Sequence, residues 1–385
     1  MAHFAISTRV FFGRTAFNEL AGYMKGLGLE RLAFIADKNI ENSEAFLRLC
    51  SDFERNGFAI QKGVFMETSG EPSYDSLDEF TGNLRGVDTQ AIIAIGGGSV
   101  LDMAKGVGIL LKNSGRGIDY RGMDKVQNPG IPVICIPTTA GTGSEVTHTA
   151  SFIDTQAKTK LGINGRHVSP LCGALIPELL FSCPRKVAVS SGLDAMLHAI
   201  EAVSAKTANA ATVMLGAKAF SLLYTHFKGA LEAPGNYEAW EGMLLGSYLA
   251  GVAMMNAGGG PASGISYPLG VHFKVPHGIA GGIFLQHVFD YNISKGYPGY
   301  LNVYNCLPDA DYSLELKKRS SDFADKFRKL YKNIGAPERL SEWGWSSIDV
   351  SLLTELTMEQ RKANLELNPV PFGREEVKAL LEHVV

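Results

Sequence analysis

The first half of the sequence alternates short apolar runs with helical periodicity, and this alternation restricts the possible folds more than any other feature. Four strands are predicted, three of them apolar runs at 31–37, 90–95 and 133–137, and the fourth at 58–63. Helical patterns lie between them, at about 43–56, 74–85 and 100–111. Strands that alternate with helices of this length form a parallel sheet with right-handed crossovers. The sequence therefore predicts an α/β fold, with a further strand at 8–12, a helix through 20–27, and a hairpin at 151–162 that returns to the sheet before Pro170.

Strand patterns end near Pro184, and only helical periodicity follows. It recurs at 191–205, 208–226, 237–255, 277–293, 313–334, 349–364 and 374–384. The glycine-rich segment 257–270 lies between two of these stretches and predicts a break in helical structure. A chain of 385 residues is too long for one compact core, so we expect two domains, at 1–184 and 185–385.

Composition excludes several classes of protein. The net charge is −3 and no basic run is long enough to follow a phosphate backbone, which argues against a nucleic-acid partner. The five cysteines are odd in number and never in C-x-x-C spacing, which favours reduced thiols in a cytoplasmic protein. Residues 1–13 lack the pattern of a signal peptide, and no apolar window is long enough to cross a membrane.

The run at 90–95 ends in three glycines and a serine, directly before a helical pattern. Glycines allow the main chain to approach a ligand closely, and the amides at the start of a helix attract anions. Gly96, Gly97, Gly98 and Ser99 therefore suggest a diphosphate site, although a plain turn also explains them. Asp37 ends an earlier strand, where a carboxylate can accept from a ribose diol and repels a 2′-phosphate. Together they favour NAD over NADP.

Two further segments carry candidate site residues. The loop at 138–146, TTAGTGSEV, follows a buried strand and is rich in hydroxyl groups and glycine, which is typical of a loop that binds a polar ligand. Asp194 and His198 are four residues apart in a helical pattern, so both side chains leave the same face and can bind one ion. A core helix with one hydrogen-bonded histidine is the alternative. His272 and His277 follow glycine-rich breaks, from which side chains can turn into a cleft.

Several ordered motifs resemble those of the iron-containing alcohol dehydrogenase family, which also includes the glycerol and lactaldehyde reductase types and is more distantly similar to dehydroquinate synthase. They are G-G-G-S at 96–99 with D-x-A-K at 102–105, P-T-T-A-G-T-G-S-E at 137–145, G-L-D-A-x-x-H-A-I-E at 192–201 and P-H-G at 276–278. The tail, with I-G-A-P-E-R-L at 334–340, is similar too, so the resemblance extends over nearly the whole chain.

The resemblance implies a Rossmann-like nucleotide-binding α/β domain, an all-helical C-terminal domain and an active-site cleft between them, as in dehydroquinate synthase. It assigns the NAD diphosphate to the glycines at 96–98 with Ser99, and the adenosine ribose to Asp37. The remaining cofactor-binding positions that it implies are Asp102, Thr138, Thr139, Thr142 and Ser144. Lys160 matches a lysine that the family places near the nicotinamide, and Asp194, His198 and His277 match three of four metal ligands.

The fourth ligand position departs from the family pattern. The family has a histidine fourteen residues before that of P-H-G, and this chain has Ser263 there; the pocket histidine four residues later is Tyr267. A hydroxyl is a weaker ligand than imidazole for such a cation. Three possibilities remain: a metal on Asp194, His198 and His277 with an open position, His272 as a substitute ligand, or a metal-free site. Three protein ligands suffice for a catalytic zinc site, so we favour the first.

We therefore expect reversible hydride transfer between NAD and a small alcohol, aldehyde or ketone, with Fe²⁺ or Zn²⁺ as Lewis acid. Tyr267, Lys160 and His277 are the predicted catalytic residues; Tyr267 acts in proton transfer or forms an aromatic wall. The alternatives are a metal-free enzyme that uses Tyr267 and Lys160, a phosphonoacetaldehyde-type reductase suggested by S-Y-P-L at 266–269, a lyase or cyclase similar to dehydroquinate synthase, and a catalytically silent protein. The resemblance also implies a homo-oligomer, in the first place a dimer.

Overall fold

The computed structural model describes residues 4–68, 70–345 and 348–385. The chain divides into two compact units, an α/β unit at Ile6–Cys183 and a helical unit at Pro184–Val385, which also includes Ala5. The main-chain N–H of Ala5 donates to the side chain of Asn256 over 2.7 Å, and this bond attaches the N-terminal segment to the helical unit. The segment 1–13, in which we predict no signal peptide, is described only from residue 4 onward.

The α/β unit contains eleven strands and four α-helices among its described residues. Its elements are β1 (Arg9–Phe12), α1 (Ala16–Gly26), β2 (Arg31–Asp37), α2 (Glu44–Arg55), β3 (Ala59–Met66), α3 (Tyr74–Gly82), β4 (Ala91–Gly96), α4 (Gly98–Leu110), β5 (Gly122–Met123), β6 (Val133–Pro137), β7 (Thr149–Ala150), β8 (Ile153–Asp154), β9 (Thr159–Lys160), β10 (Ile163–Asn164) and β11 (Cys172–Leu175). Six strands form one parallel sheet in the order β1-β11-β6-β4-β2-β3. The predicted parallel α/β architecture is confirmed.

The central strand β4 is buried along its whole length, because elements cover both faces of a parallel sheet. Ile92 and Ala94 of this strand pack with Val100 and Val107 of α4 in one apolar core, which also includes Phe152. Helix α4 therefore starts immediately after β4 and returns along the sheet. This connection places the glycines between them at the carboxyl edge of the sheet.

The hairpin predicted at 151–162 is present, but the prediction that it returns to the main sheet is wrong. β8 and β9 pair antiparallel, Ile153 with Lys160 and Asp154 with Thr159, but they form a separate two-stranded sheet. β5, β10 and β7 form a second small sheet. The strand that returns to the main sheet is β11, which follows Pro170 and pairs on both sides, with β1 and β6. Four residues are too few for a periodic pattern to identify it.

The helical unit consists, in its described residues, of helices and the loops that connect them. They are α5 (Arg185–Ser204), α6 (Ala210–Glu232), α7 (Tyr237–Ala257), α8 (Pro261–Phe273), α9 (His277–Ser294), α10 (Leu301–Tyr304), α11 (Leu316–Asn333), α12 (Val350–Gln360), α13 (Lys362–Glu366) and α14 (Arg374–Val384). Helix α5 is central and packs against α6, α7 and α9. None of the described helices has both the length and the apolar composition that a membrane crossing requires. The prediction of an all-helical second half is confirmed.

Two local predictions in this unit were wrong. The glycine-rich segment 257–270 contains most of α8, a helix that begins with Pro261 at its first position and contains Pro268. Pro261 suits that position, and packing of α8 against α9 and α12 offsets the hydrogen bond that Pro268 cannot make. The helix predicted at 349–364 is two helices, because Arg361 leaves the helical conformation at φ −130° and ψ 18°.

Candidate metal and cofactor sites

Helix α5 presents Asp194 and His198 on one face, one turn apart. Apolar neighbours such as Leu193 and Leu197 bury this part of the helix, so that Asp194 is 6% and His198 5% exposed. His198 Nε2 lies 3.5 Å from Asp194 Oδ1. Neither Asp194 Oδ1 nor His198 Nδ1 has a hydrogen-bond partner within the described part of the chain. A buried carboxylate is costly unless it is paired or binds a cation, so this pair suits a metal ion.

His277, the first residue of α9, completes a group of three possible ligands. Its Nε2 lies 3.8 Å from Asp194 Oδ1, and ligand atoms of the three residues all lie within 4.8 Å of one another. Donors bound at about 2.1 Å in a tetrahedral shell are about 3.4 Å apart. The three side chains therefore fit one divalent ion.

Close packing between α9 and α5 brings His277 to this position. A Cβ atom on Gly278 would overlap the main-chain oxygen of Ser190 and lie 3.0 Å from the Cβ of Asp194. Only glycine allows the start of α9 to approach α5 so closely. The glycine of the P-H-G motif thus determines where the third possible ligand lies.

Ser263 and Tyr267 lie four residues apart on α8. Ser263 is buried, and its main-chain amide donates to Oε1 of Glu201 over 3.1 Å. His272, near the end of the same helix, is not part of the group of three ligands. The possibility that His272 replaces the missing histidine therefore receives no support from the geometry.

Glu201 is a site neighbour that sequence analysis missed. It lies seven residues after Asp194 and three after His198 on α5, and it is only 2% exposed. Burial raises the pKa of its carboxyl group, and interactions with Ser263 and Gly260 oppose the shift. The i, i+4, i+7 spacing from Asp194 was the signal that could have identified it. Its carboxylate holds the start of α8 against α5.

Tyr267 and Arg361 form a stack on His277. The Tyr267 ring lies 4.6 Å from the His277 ring, centroid to centroid, at an interplanar angle of 33°. Arg361 Cζ lies 4.0 Å from the Tyr267 ring centroid, a separation typical of a cation–π contact. Sequence analysis missed Arg361 because it placed this residue inside a continuous helix. Only the break between α12 and α13 distinguishes it from the other charged residues of the segment.

The carboxyl edge of the parallel sheet gathers most of the predicted cofactor residues. The chain moves outward from β2 to β3 and then crosses back to β4 on the other side of β2, so β2 and β4 flank a topological switch point. Ala36 pairs with Ile95, which places Asp37 beside the glycines that follow β4. Gly96 pairs with Pro137, so the loop after β6 begins next to the same glycines.

The glycine turn and the threonine-rich loop are in contact. A Cβ atom on Gly97 would lie 3.3 Å from Thr139 Oγ1, and one on Gly98 would lie 2.6 Å from Thr142 Cγ2. Ser99 follows in the first turn of α4, and the main-chain N–H of Thr138 donates to Gly96 O over 3.0 Å. A side chain at 98 would therefore require Thr142 to move, and one at 97 would make a tight contact with Thr139. Amides at the start of α4 can bind an anion.

Asp37 already makes hydrogen bonds inside the unit. Its Oδ1 accepts from the main chain and side chain of Asn39, each over 2.9 Å, and the Thr68 hydroxyl lies 3.2 Å away. These bonds hold the carboxylate at the end of β2, where a ribose site requires it. Its contact with a ribose stays a prediction.

Asp102 and Ser144 take part in a buried network that sequence analysis did not foresee. The Lys105 ammonium group donates to Ser144 Oγ over 2.7 Å and to the carbonyl of Thr149 over 2.8 Å. Ser144 in turn donates to Asp102 Oδ1 over 2.6 Å. Lys105 is 2% exposed, so the network attaches the threonine-rich loop to α4 from within. Contact of Asp102 or Ser144 with the cofactor stays a prediction.

Lys160 is a charged group of the α/β unit and stays a predicted catalytic residue. Lys160, in β9, donates to Glu71 Oε1 over 2.6 Å, so a carboxylate partner accompanies its charge.

Glu145, at the end of the threonine-rich motif, is buried, and this burial raises the pKa of its carboxyl group to about 7. Hydrogen bonding to its own main chain and the charge of Lys105 oppose the shift.

Comparison with known families agrees with this geometry. The family model described as "Iron-containing alcohol dehydrogenase" matches residues 7–176, and the model described as "Fe-containing alcohol dehydrogenase family, C-terminal" matches residues 188–385. The chain belongs to the iron-containing alcohol dehydrogenase family. The resemblance inferred from the motifs is thereby confirmed, as are the predicted enzyme class and the family's cofactors, NAD and a divalent metal.

Individual members of the iron-containing alcohol dehydrogenase family match over almost their whole length. The chain is 28% identical over 359 residues to the NAD-dependent methanol dehydrogenase of Bacillus methanolicus, covering 93% of this chain and 94% of the relative. It is 30% identical over 370 residues to the sulfoacetaldehyde reductase of Bilophila wadsworthia, covering 93% and 95%. The crystal structure of sulfoacetaldehyde reductase from Bifidobacterium kashiwanohense in complex with NAD⁺ has a TM-score of 0.88 at 25% identity, covering 100% of this chain and 98% of that one.

Proposed function

We propose that the protein is an NAD-dependent oxidoreductase that interconverts a small alcohol and its aldehyde or ketone. The observation that carries the proposal is the group formed by Asp194, His198 and His277 in the helical unit. A divalent ion, Fe²⁺ or Zn²⁺, bound there supplies Lewis-acid polarisation of the substrate oxygen. The family membership of both units and their arrangement of motifs support this function over a lyase or a silent binding protein.

The α/β unit is proposed to bind NAD. The turn at 96–98 and Ser99 bind the diphosphate with main-chain amides, while the loop at 138–144 lies against the same turn. Asp37 at the end of β2 binds the adenosine ribose, and its negative charge disfavours the 2′-phosphate of NADP. Lys160, paired with Glu71, is proposed to lie near the nicotinamide by analogy with the family.

The helical unit is proposed to hold the substrate oxygen and its proton. Asp194, His198 and His277 would hold the ion, and because the Ser263 position provides no imidazole, a coordination position would stay open for solvent or substrate. The Tyr267 ring lies 4.6 Å from the ring of His277, and its hydroxyl is proposed to exchange a proton with the substrate oxygen. Ser263 is also the observation that favours the second candidate, a metal-free enzyme in which Tyr267 and Lys160 polarise the substrate instead.

The decisive experiment combines metal content with activity. Protein prepared without a tag or chelator is reconstituted with Fe²⁺ or Zn²⁺, its metal measured by mass spectrometry, and its oxidation of NADH followed with short aldehydes. We expect about one equivalent of metal, with loss of both metal and activity in His198→Ala. His226→Gln, on α6 and outside the ligand group, is the matched control and should retain both. Aldehyde reduction that persists in protein without metal would establish the metal-free candidate.

Two further proposals concern the protein as a whole. We propose a homodimer, which rests on the family resemblance, and a cytoplasmic location, which rests on the cysteine pattern of the sequence. Light scattering coupled to gel filtration tests the first. A mass of one chain at micromolar concentration would exclude the dimer.

The names of the relatives include a neutral substrate, methanol, and an anionic one, sulfoacetaldehyde. Family membership therefore does not define the substrate class of this chain. Side chains next to the ligand group must define it.

A further inference from the structure

A guanidinium group lies one aromatic ring away from a proposed metal ligand. The Tyr267 ring contacts both residues: its centroid lies 4.6 Å from the centroid of His277 and 4.0 Å from Arg361 Cζ. All three residues belong to the helical unit, on α9, α8 and the α12–α13 break. The break at Arg361 presents its side chain toward Tyr267.

The Arg361 side chain lies in partly buried surroundings. The Nε of Arg361 is inaccessible to solvent, and Tyr267 is half-buried. Electrostatic attraction is stronger in such surroundings than at an exposed surface. A guanidinium group also binds carboxylate, sulfonate and phosphonate groups through two parallel hydrogen bonds, which an ammonium group cannot do.

We propose that Arg361 selects short aldehydes that carry an anionic group, a sulfonate, carboxylate or phosphonate, one or two carbons from the carbonyl. The inference rests on the proposed function, because it takes the substrate oxygen to lie at the ligand group of His277. In such an aldehyde, the carbonyl oxygen and the anionic group are only a few bonds apart. Arg361 and His277 are similarly close, because both contact the Tyr267 ring. The oxygen can then meet the ligand group while the anion meets Arg361.

The anionic group takes no part in the reaction. A hydride passes from C4 of the nicotinamide to the carbonyl carbon, the carbonyl π-bond becomes an O–H bond with a proton from Tyr267 or solvent, and NADH is oxidised as the aldehyde is reduced. Arg361 acts only by holding the far end of the substrate. It is therefore expected to affect KM more than kcat when binding is uniform between ground and transition states.

The test compares one anionic aldehyde of each kind with a neutral aldehyde of similar size. Metal-loaded enzyme is assayed with NADH and sulfoacetaldehyde, succinic semialdehyde, phosphonoacetaldehyde or propanal. We expect kcat/KM of the wild type to favour at least one anionic aldehyde by about 10-fold or more over propanal, and the preferred one identifies the anion. In Arg361→Gln, kcat/KM for that aldehyde should fall about 10- to 100-fold, chiefly through KM, with a much smaller change for propanal.

Two further variants separate charge from structure. Arg361→Lys keeps the charge without the paired donors and should recover part of the loss. Lys362→Gln removes an exposed cation from the adjacent position, where it pairs with Glu366 over 3.6 Å. This variant should leave kcat/KM unchanged for every aldehyde. Equal preference of the wild type for anionic aldehydes and propanal would overturn the proposal. So would an equal fall for all aldehydes in Arg361→Gln.

A binding measurement makes this test independent of turnover. Ethanesulfonate cannot be reduced or oxidised at this site, and its affinity for metal-loaded protein with NAD can be measured by calorimetry. We expect binding that weakens about 10-fold or more in Arg361→Gln and in high salt. Absence of turnover with any aldehyde would contradict the proposed function, whereas unchanged ethanesulfonate affinity in Arg361→Gln would contradict the role of Arg361.

Discussion

The main-chain amide of Ser263 donates to the carboxylate of Glu201 over 3.1 Å, and this bond fastens the start of α8 to the helix that carries Asp194 and His198. Residue 263 is therefore held beside the ligand helix although its own side chain is a poor metal ligand. The family resemblance implies a histidine ligand at this position. We infer that a histidine introduced at residue 263 can reach the ligand group.

We expect Ser263→His to strengthen metal binding. An additional imidazole should lower the dissociation constant for Zn²⁺ by about 10-fold or more, because a fourth protein ligand replaces solvent. Competition with a chelator of known affinity measures the change. Ser266→Ala alters another buried serine of α8, whose hydroxyl donates to Ala262 O, and serves as the control. An unchanged dissociation constant in a folded Ser263→His protein would show that residue 263 does not face the ion.

We expect Tyr267→Phe to lower kcat while the ring stack on His277 and under Arg361 is kept. If the hydroxyl transfers the proton, kcat should fall about 100-fold and the pH profile of kcat should lose the limb that the tyrosine contributes. Steady-state kinetics from pH 6 to 10 with one aldehyde and with NADH at saturation provide the measurement. A fall of less than about threefold with an unchanged profile would leave Tyr267 the role of an aromatic wall.

We expect Gly98→Ala to weaken NAD binding without affecting the metal. The added Cβ would meet Thr142 at 2.6 Å, so the glycine turn and the threonine-rich loop must separate. The dissociation constant for NAD, measured by calorimetry, should rise about 10-fold or more, the effect of distorting a diphosphate-binding turn. Gly22→Ala, in an exposed turn of α1 where a Cβ meets no atom within 4 Å, should leave NAD affinity unchanged. Equal affinity of Gly98→Ala and wild type would argue against this turn as the diphosphate site.

We expect Glu145→Gln to stabilise the protein at pH 8 more than at pH 5. Burial raises the pKa of Glu145 from 4.5 to about 7, so the folded protein binds a proton that the unfolded chain has lost. The free energy of unfolding therefore falls as pH rises from 4.5 to 7, by up to about 3 kcal/mol, and is level above that. Glutamine is neutral at every pH and removes this dependence. The measurement is the difference in Tm between variant and wild type at pH 5 and at pH 8. If the pKa of Glu145 were normal, the two differences would be equal.

The sequence by itself determined the local features of this protein: the strand and helix alternation, the glycine turn after β4, and the shared face of Asp194 and His198. These depend on the period of a strand or a helix, which acts over a few residues. The site could be predicted to the extent that its residues are close in the chain or match a long motif. Asp194 and His198 satisfied both conditions, and so did Glu201, to which sequence analysis assigned no role; Arg361 satisfied neither.

Only the tertiary structure decided which distant residues meet. His277 reaches Asp194 because Gly278 allows α9 to approach α5, and Arg361 reaches Tyr267 because the chain leaves the helical conformation at that residue. Helix α8 forms despite Pro268 because its packing outweighs a weak local preference. Periodicity describes which face of an element is apolar, but the partner of that face, and so the distance between two side chains, follows from packing of the whole unit.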